Sequence, residues 1–193
     1  MFAAKMGARH VIGVDMADII DHTRQIVQDN GFTEKITLVK GKVEELDLAA
    51  LVPAHVLGEG GAGAFKVDVI VSEWMGYCLL YESMLDTVLF ARDRWLRAPV
   101  SGEGGGDAGS KSAQRGGGVV LPNAARMFVE GFSDAEYWGG KVTFWDDVYG
   151  FNMSCMREER GADVTSEAVV AVMPAASVNT SRCEFKALDM QVR

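Results

Sequence analysis

Glu73 and Glu82 stand nine residues apart in S-E-W-M-G-Y-C-L-L-Y-E-S-M, residues 72–84, with no other charged residue between them. If both carboxylates turned into one pocket, each would disfavour ionisation of the other unless a cation lay between them. A planar guanidinium meets that need, because its fork of N–H donors can satisfy two carboxylates at once. Gly76 gives the chain the freedom to turn back and bring Glu82 toward Glu73. Trp74, Met75, Tyr77, Leu79, Leu80 and Tyr81 around them are side chains that usually bury. Read from the residues alone, the alternative of two independent surface acids stays open.

Positioning such a pair requires a scaffold, and the pattern on either side supplies one. H-V-I-G-V-D, residues 10–15, is a β-branched run ending in Asp15. Ile19, Ile20, Thr23, Ile26 and Val27 then recur at helical spacing, and Gly31 after Asn30 supplies a stop. I-T-L-V at 36–39 and V-D-V-I-V at 67–71 are further strands, the latter apolar enough to suit cover on both faces. Leu85, Val88, Leu89, Arg92, Trp95 and Leu96 trace a second helix that must end before Pro99. Strands alternating with helices predict an α/β fold with a doubly wound parallel sheet, in which ligands bind at the carboxyl ends of the strands. Asp15 and Glu73 both occupy such places.

Two glycine-rich segments interrupt the pattern. G-E-G-G-A-G at 58–63 matches a dinucleotide-binding spacing but precedes a strand, whereas a phosphate-binding turn must follow a strand and open a helix. A flexible loop is expected there. S-G-E-G-G-G-D-A-G-S-K-S-A-Q-R-G-G-G, residues 101–118, reads as a disordered insertion before the strand V-V-L at 119–121. Beyond Pro122 the texture becomes β-rich and irregular, with a weakly alternating strand expected at 167–173, so a second domain is expected from residue 122.

The chain has 193 residues, 48% of them hydrophobic, enough for a sizeable core. With 19 Lys and Arg against 27 Asp and Glu, its net charge of -8 argues against nucleic-acid binding and allows attraction of a basic partner, with plain solubility as the alternative reading of the charge. Cys78, Cys155 and Cys183 form no C-x-x-C pair that would suggest a metal or redox couple. No apolar run is long enough to span a bilayer and the amino terminus lacks a signal-peptide core, so a soluble protein of the cytoplasm or nucleus, without a metal or membrane contact, is the expectation.

S-E-W-M-G-Y-C-L-L-Y-E-S-M closely resembles the double-glutamate loop of the protein arginine methyltransferases. M-F-A-A-K-M-G-A at the start, V-K-G-K-V-E-E at 39–45 and F-W-D-D-V-Y-G-F-N-M-S-C-M at 144–156 extend the likeness, which fades after about residue 175. The asymmetric-dimethylating branch is most similar, and within it F-W-D-D-V-Y-G-F resembles the group called protein arginine methyltransferase three. The resemblance implies methyl transfer from S-adenosyl-L-methionine to protein arginines. By the same resemblance Glu73 and Glu82 grip the substrate guanidinium, Asp15 binds the ribose hydroxyls, Glu44 with the backbone of Val43 meets the adenine, and Met84 lines the pocket. Glu45 receives no role. The implied architecture is a partial Rossmann-like methyltransferase domain over 1–121, then part of a β-barrel domain over 122–193 with a dimerisation arm over about 133–160. Arginine-glycine-rich proteins are the implied substrates and a homodimer the implied assembly.

Members of that family carry a strand and a glycine-rich cofactor loop upstream of the segment matching M-F-A-A-K, and further barrel downstream. Neither is in this sequence, so Met1 is expected to be an internal methionine of a longer protein or the start of an incomplete gene model, and the chain as written to bind S-adenosyl-L-methionine weakly or not at all and to be unstable or nonfunctional by itself. The competing expectation is a noncatalytic protein that uses the arm to pair with an intact relative. Arg115-Gly116-Gly117 resembles the sequences these enzymes modify, with a plain linker as the alternative.

Overall fold

The computed structural model describes residues 1–57, 60–99 and 117–191. The expected disorder of 101–118 and the Arg115-Gly116-Gly117 sequence therefore fall, up to residue 116, outside the described residues. The chain forms two compact units. The first comprises Met1–Gly76, Leu80–Ala124 and the end of the chain from Asp189, and the second Tyr77–Leu79 and Ala125–Leu188.

In the first unit a short helix α1 (Phe2–Lys5) leads into strand β1 (Val11–Asp15), helix α2 (Ile19–Asp29) and strand β2 (Ile36–Lys40). β1 and β2 pair in parallel from Val11 opposite Ile36 to Asp15 opposite Lys40. The apolar spacing of α2 turns Ile20 and Val27 inward, and Val27 joins Ala4 and Ile36 in a small core lined also by Val11, Phe32 and Leu38. Gly31 adopts φ +70 directly after α2, where the left-handed turn that ends a helix favours glycine. Gly13 admits Leu38, whose Cδ2 would lie 2.7 Å from any Cβ there.

A 3-10 turn at Val43–Glu45 and two one-turn helices, α3 (Leu48–Leu51) and α4 (Ala54–Leu57), precede strand β3 (Val69–Val71). Helix α5 (Leu85–Trp95) and strand β4 (Val119–Leu121) follow, β4 lying parallel to β3. Leu48, Ala49, Val52, Val56, Phe65 and Trp95 form the larger core, against which Ile12 and Val14 pack. The parallel ladders come as two pairs, β1–β2 and β3–β4, with no ladder between β1 and β3 among the described residues. One expectation fails here: β3 is not covered on both faces, since Val69 and Val71 are 52% and 75% exposed. The segment Ala62–Ala64 is a 3-10 turn before β3, not a helix after a strand, so the described part of the glycine-rich run has no phosphate-cradling geometry.

The chain end returns to this unit. Met190 is 1% exposed, its N–H donates to the Asn123 carbonyl at 2.8 Å, and Gln191 Nε2 donates to the Val120 carbonyl at 3.2 Å. The buried Arg92 guanidinium reaches the Met190 carbonyl at 3.4 Å.

In the second unit, strands β5 (Ala124–Val129) and β6 (Cys183–Asp189) form a two-stranded sheet, extended by a bridge between Phe132 and Val178. Between them lie helices α6 (Ala135–Lys141) and α7 (Arg157–Ser166). Asp134 caps α6 by accepting the Tyr137 N–H at 2.8 Å. The strand expected at 167–173 is absent. Residues 167–173 form no ladder, and Val172 is 99% exposed, because weak alternation without a partner strand cannot pair its backbone.

Candidate functional site

β1 ends at Asp15, and the chain leaving it bends because Asp15 Oδ1 accepts the Ala17 N–H at 2.8 Å. One carboxylate oxygen is held by the turn, and the exposed acid keeps a second for a ligand hydroxyl. The carbonyl of Asp15 accepts the Gly41 N–H at 3.0 Å, which ties the end of β1 to the segment entering the 3-10 turn. Val43 opens that turn, so its N–H has no partner within it. Glu44 follows, and its carboxylate accepts a hydrogen bond from the Thr87 hydroxyl in the first turn of α5. That bond, and to a lesser degree the Glu44 amide, holds the Glu44 carboxyl below the usual carboxylate range. It is therefore an anionic acceptor at neutral pH.

These groups share one open cavity of about 930 Å³. Asp15, Lys42, Val43, Glu44, Glu45, Glu82, Ser83, Met84 and Thr87 contribute to its lining, and Ile12, Val14, Val69, Ile70, Val71, Val88 and Trp95 supply apolar surface. The donor set fits a nucleoside: a strand-end carboxylate suits a diol, a carboxylate beside a free amide suits a base edge, and Val14, Val43 and Met84 offer apolar surface for the base faces. No cluster of three or more acidic, histidine or cysteine side chains that could hold a metal ion occurs among the described residues.

Of the residues singled out in the sequence, the structure brings Asp15, Val43, Glu44, Glu82 and Met84 to this cavity. It does not place Glu73 there. Glu73 lies two residues past β3 and is exposed, so the two glutamates share a loop but not, in this conformation, a pocket wall. Their apolar neighbours divide: Trp74 is 1% exposed, whereas Tyr77 and Tyr81 are 65% and 78% exposed. Glu45, left without a role by the sequence, does line the cavity. Thr87 was missed as well, and its only signal is a hydroxyl three residues beyond Met84 on a helix whose other features read as packing.

The loop is bent by residues in an unusual backbone region. Cys78, Leu79 and Ser83 have φ of +47, +62 and +55. Non-glycine residues rarely adopt such angles, and they gather where a surrounding structure holds a functional loop in shape.

A Rossmann-like unit with acids at strand ends is an architecture suited to a nucleotide-type ligand, and the relatives sharpen this. Residues 123–192 match the arginine methyltransferase oligomerization subdomain. The chain is 40% identical over 190 residues to a probable protein arginine N-methyltransferase 1.2 of Arabidopsis thaliana, covering 98% of this chain and 42% of that protein. It is 42% identical to protein arginine N-methyltransferase 1 of Schizosaccharomyces pombe, covering 99% of this chain and 46% of the relative. Its fold aligns with the Trypanosoma brucei PRMT1 enzyme–prozyme heterotetrameric complex with AdoHcy at a TM-score of 0.67 and 34% identity, over 100% of this chain and 49% of that one. Over nearly its whole length the chain is similar to protein arginine methyltransferases, and it spans less than half the length of the two curated relatives just named.

Proposed function

We propose that this chain carries the nucleoside-binding and guanidinium-binding part of a protein arginine methyltransferase that uses S-adenosyl-L-methionine. The observation that supports this most directly is the shared cavity: Glu82 stands on the same wall system as Asp15 and Glu44. Asp15 holds the ribose hydroxyls, Glu44 and the Val43 amide meet the adenine edge, and Met84 packs on its face.

When bound, the cofactor would supply an electrophilic methyl group on a sulfonium, to be accepted by a guanidinium nitrogen. The protein's task is electrostatic. Two unit positive charges about 4 Å apart repel by about 4 kcal/mol at an effective dielectric near 20. The Glu82 carboxylate opposes that repulsion and orients the guanidinium, and Glu73 completes the pair when the exposed loop closes on a substrate. A carboxylate of the pair, or water, takes the proton released from nitrogen.

Arginine-glycine-rich segments suit this acidic chain as substrates, and association through the arm at 133–160 suits the exposed Phe144, Tyr149 and Phe151. No role for nucleic acid or membrane is proposed. A second reading, a noncatalytic partner of an intact relative, draws support from the enzyme–prozyme pairing of the structurally similar complex.

Cofactor binding separates the two. Calorimetry with S-adenosylhomocysteine should give saturable binding that Asp15→Asn and Glu44→Gln each weaken about tenfold, a loss near 1.4 kcal/mol. Unchanged affinity in both variants would remove the cofactor-site reading, and no binding by the parent chain would favour the noncatalytic partner.

A further inference from the structure

Gly76 lies between the two glutamates, and the structure leaves no room for a side chain on it. A methyl group there would stand 2.6 Å from Cγ of Glu82, 3.1 Å from the Glu82 amide nitrogen and 3.2 Å from its Cδ. Carbon atoms at rest keep about 3.5–4.0 Å apart, so the side-chain stem of Glu82 occupies the volume a Cβ would need. Gly76 is not among the residues of positive φ. Its requirement is therefore space, not the turn-making freedom that its place in the sequence suggested. Between Gly76 and Glu82 it is Cys78 and Leu79 that adopt the left-handed region, and Ser83 does so directly after Glu82.

We propose that Gly76 is a positioning residue for Glu82: its bare backbone is the surface against which the Glu82 stem rests, and this sets where the carboxylate stands at the cavity. The inference rests on the reading of Glu82 as a guanidinium ligand. An exposed glutamate otherwise samples many rotamers, and each staggered change at χ1 swings its carboxylate to a different direction. Resting the stem on a backbone strip removes part of that choice before a substrate arrives, which is the preorganisation that an oriented transfer uses. An added methyl at residue 76 forces Cγ out of its position, so the negative charge stays in the protein but leaves its place.

The test uses four forms of the full chain: parent, Gly76→Ala, Glu82→Ala and the double variant. Thermal unfolding should show Gly76→Ala lowering Tm in the parent, and lowering it by less than about half as much in the Glu82→Ala background, where the 2.6 and 3.2 Å neighbours no longer exist. Equal losses in both backgrounds would overturn the steric coupling. If Gly76→Ala fails to fold, recovery of folding in the double variant supports the proposal and failure to recover overturns it.

Binding of an arginine-glycine-rich peptide, followed by calorimetry, separates positioning from general stability. Gly76→Ala should weaken it about tenfold while S-adenosylhomocysteine affinity stays within about twofold, and should weaken it no further once Glu82 is Ala. Where methyl transfer is measurable, the loss should appear in kcat as well as KM. If Gly76→Ala binds peptide like the parent while Glu82→Gln does not, the positioning role is wrong and the guanidinium reading survives. If Glu82→Gln itself binds and transfers like the parent, the guanidinium reading fails and the positioning role falls with it, even where the Tm coupling is present.

Discussion

Thr87 favours the ionised form of Glu44 through one hydroxyl. Because the bond favours the carboxylate, its removal should move the Glu44 titration upward toward the ordinary carboxylate value. In Thr87→Val, carbon-13 NMR of the Glu44 side-chain carboxyl should therefore show a higher midpoint than in the parent; an unchanged or lower midpoint would contradict the assignment. The direction also fixes the linkage: the lowered value adds stability at pH above the unfolded carboxylate's pKa, and that stability is lost as pH falls through the folded value. At this scale the sequence was informative about place: Asp15, which closes a β-branched run, and Val43 and Glu44, singled out by resemblance in V-K-G-K-V-E-E, all reach the cavity. Thr87 could not be read, since a threonine in a helix turn looks the same whether or not a carboxylate from forty residues earlier arrives beside it. The separation of Glu73 from the cavity was equally hidden, because loop conformation depends on the left-handed turns at Cys78, Leu79 and Ser83, and no residue type there announces them.

The elements of the first unit were legible because their apolar residues repeat with the period of the structure they form. β1, β2 and β3 are β-branched runs, and α2 and α5 place their inward side chains three and four residues apart. The second unit defeated the same reading. Two glycines within A-E-Y-W-G-G-K mask α6, and β-branched side chains at 167–173 suggested a strand that has no partner. Val172→Pro should consequently be tolerated, with Tm changed by no more than a few degrees, as expected for an exposed residue outside any ladder. A loss of ten degrees would mean a pairing exists after all. A second consequence concerns the start of β1. His10 shares a 2.8 Å hydrogen bond with Thr37 Oγ1, its Nδ1 is buried without a partner, and the His55 ring stands edge-on with centroids 6.2 Å apart. Burial first, and the neighbouring His55 second, hold the His10 pKa below the usual imidazole value. The neutral ring is thus favoured in the fold: its contribution is complete above the unfolded pKa of about 6.5 and is lost as pH falls through the folded value. Thermal unfolding between about pH 7 and 5 should show this decline, and His10→Gln should flatten it. An equally steep decline in the variant would assign it to other groups.

For the whole molecule, a net charge of -8 predicts attraction to arginine-rich partners that salt weakens. Raising sodium chloride from about 0.05 to 0.5 M, which shortens the screening length from over 10 Å to below 5 Å, should lower affinity for an arginine-glycine-rich peptide at least threefold. Salt-independent binding would point to apolar contacts instead. Self-association is expected to lean on the exposed arm aromatics. Phe144→Ala with Tyr149→Ala should shift sedimentation toward monomer while the unfolding of the first unit is unchanged, since a lost interface anchor of about 2 kcal/mol weakens association roughly thirtyfold.

The return of the chain at Asp189 has a consequence for how the protein is made. Asn123, Val120 and Arg92 belong to the first unit, yet the groups that cover them, Met190 and Gln191, are translated only after the whole intervening second unit. At about 5–20 residues per second, the ribosome leaves that face uncovered for several seconds, with Val120 and the Arg92 guanidinium awaiting their neighbours. The first unit is therefore completed only after the residues of the second have been made, even though most of its own residues emerge first, and the nascent chain in that interval is the species a chaperone would meet.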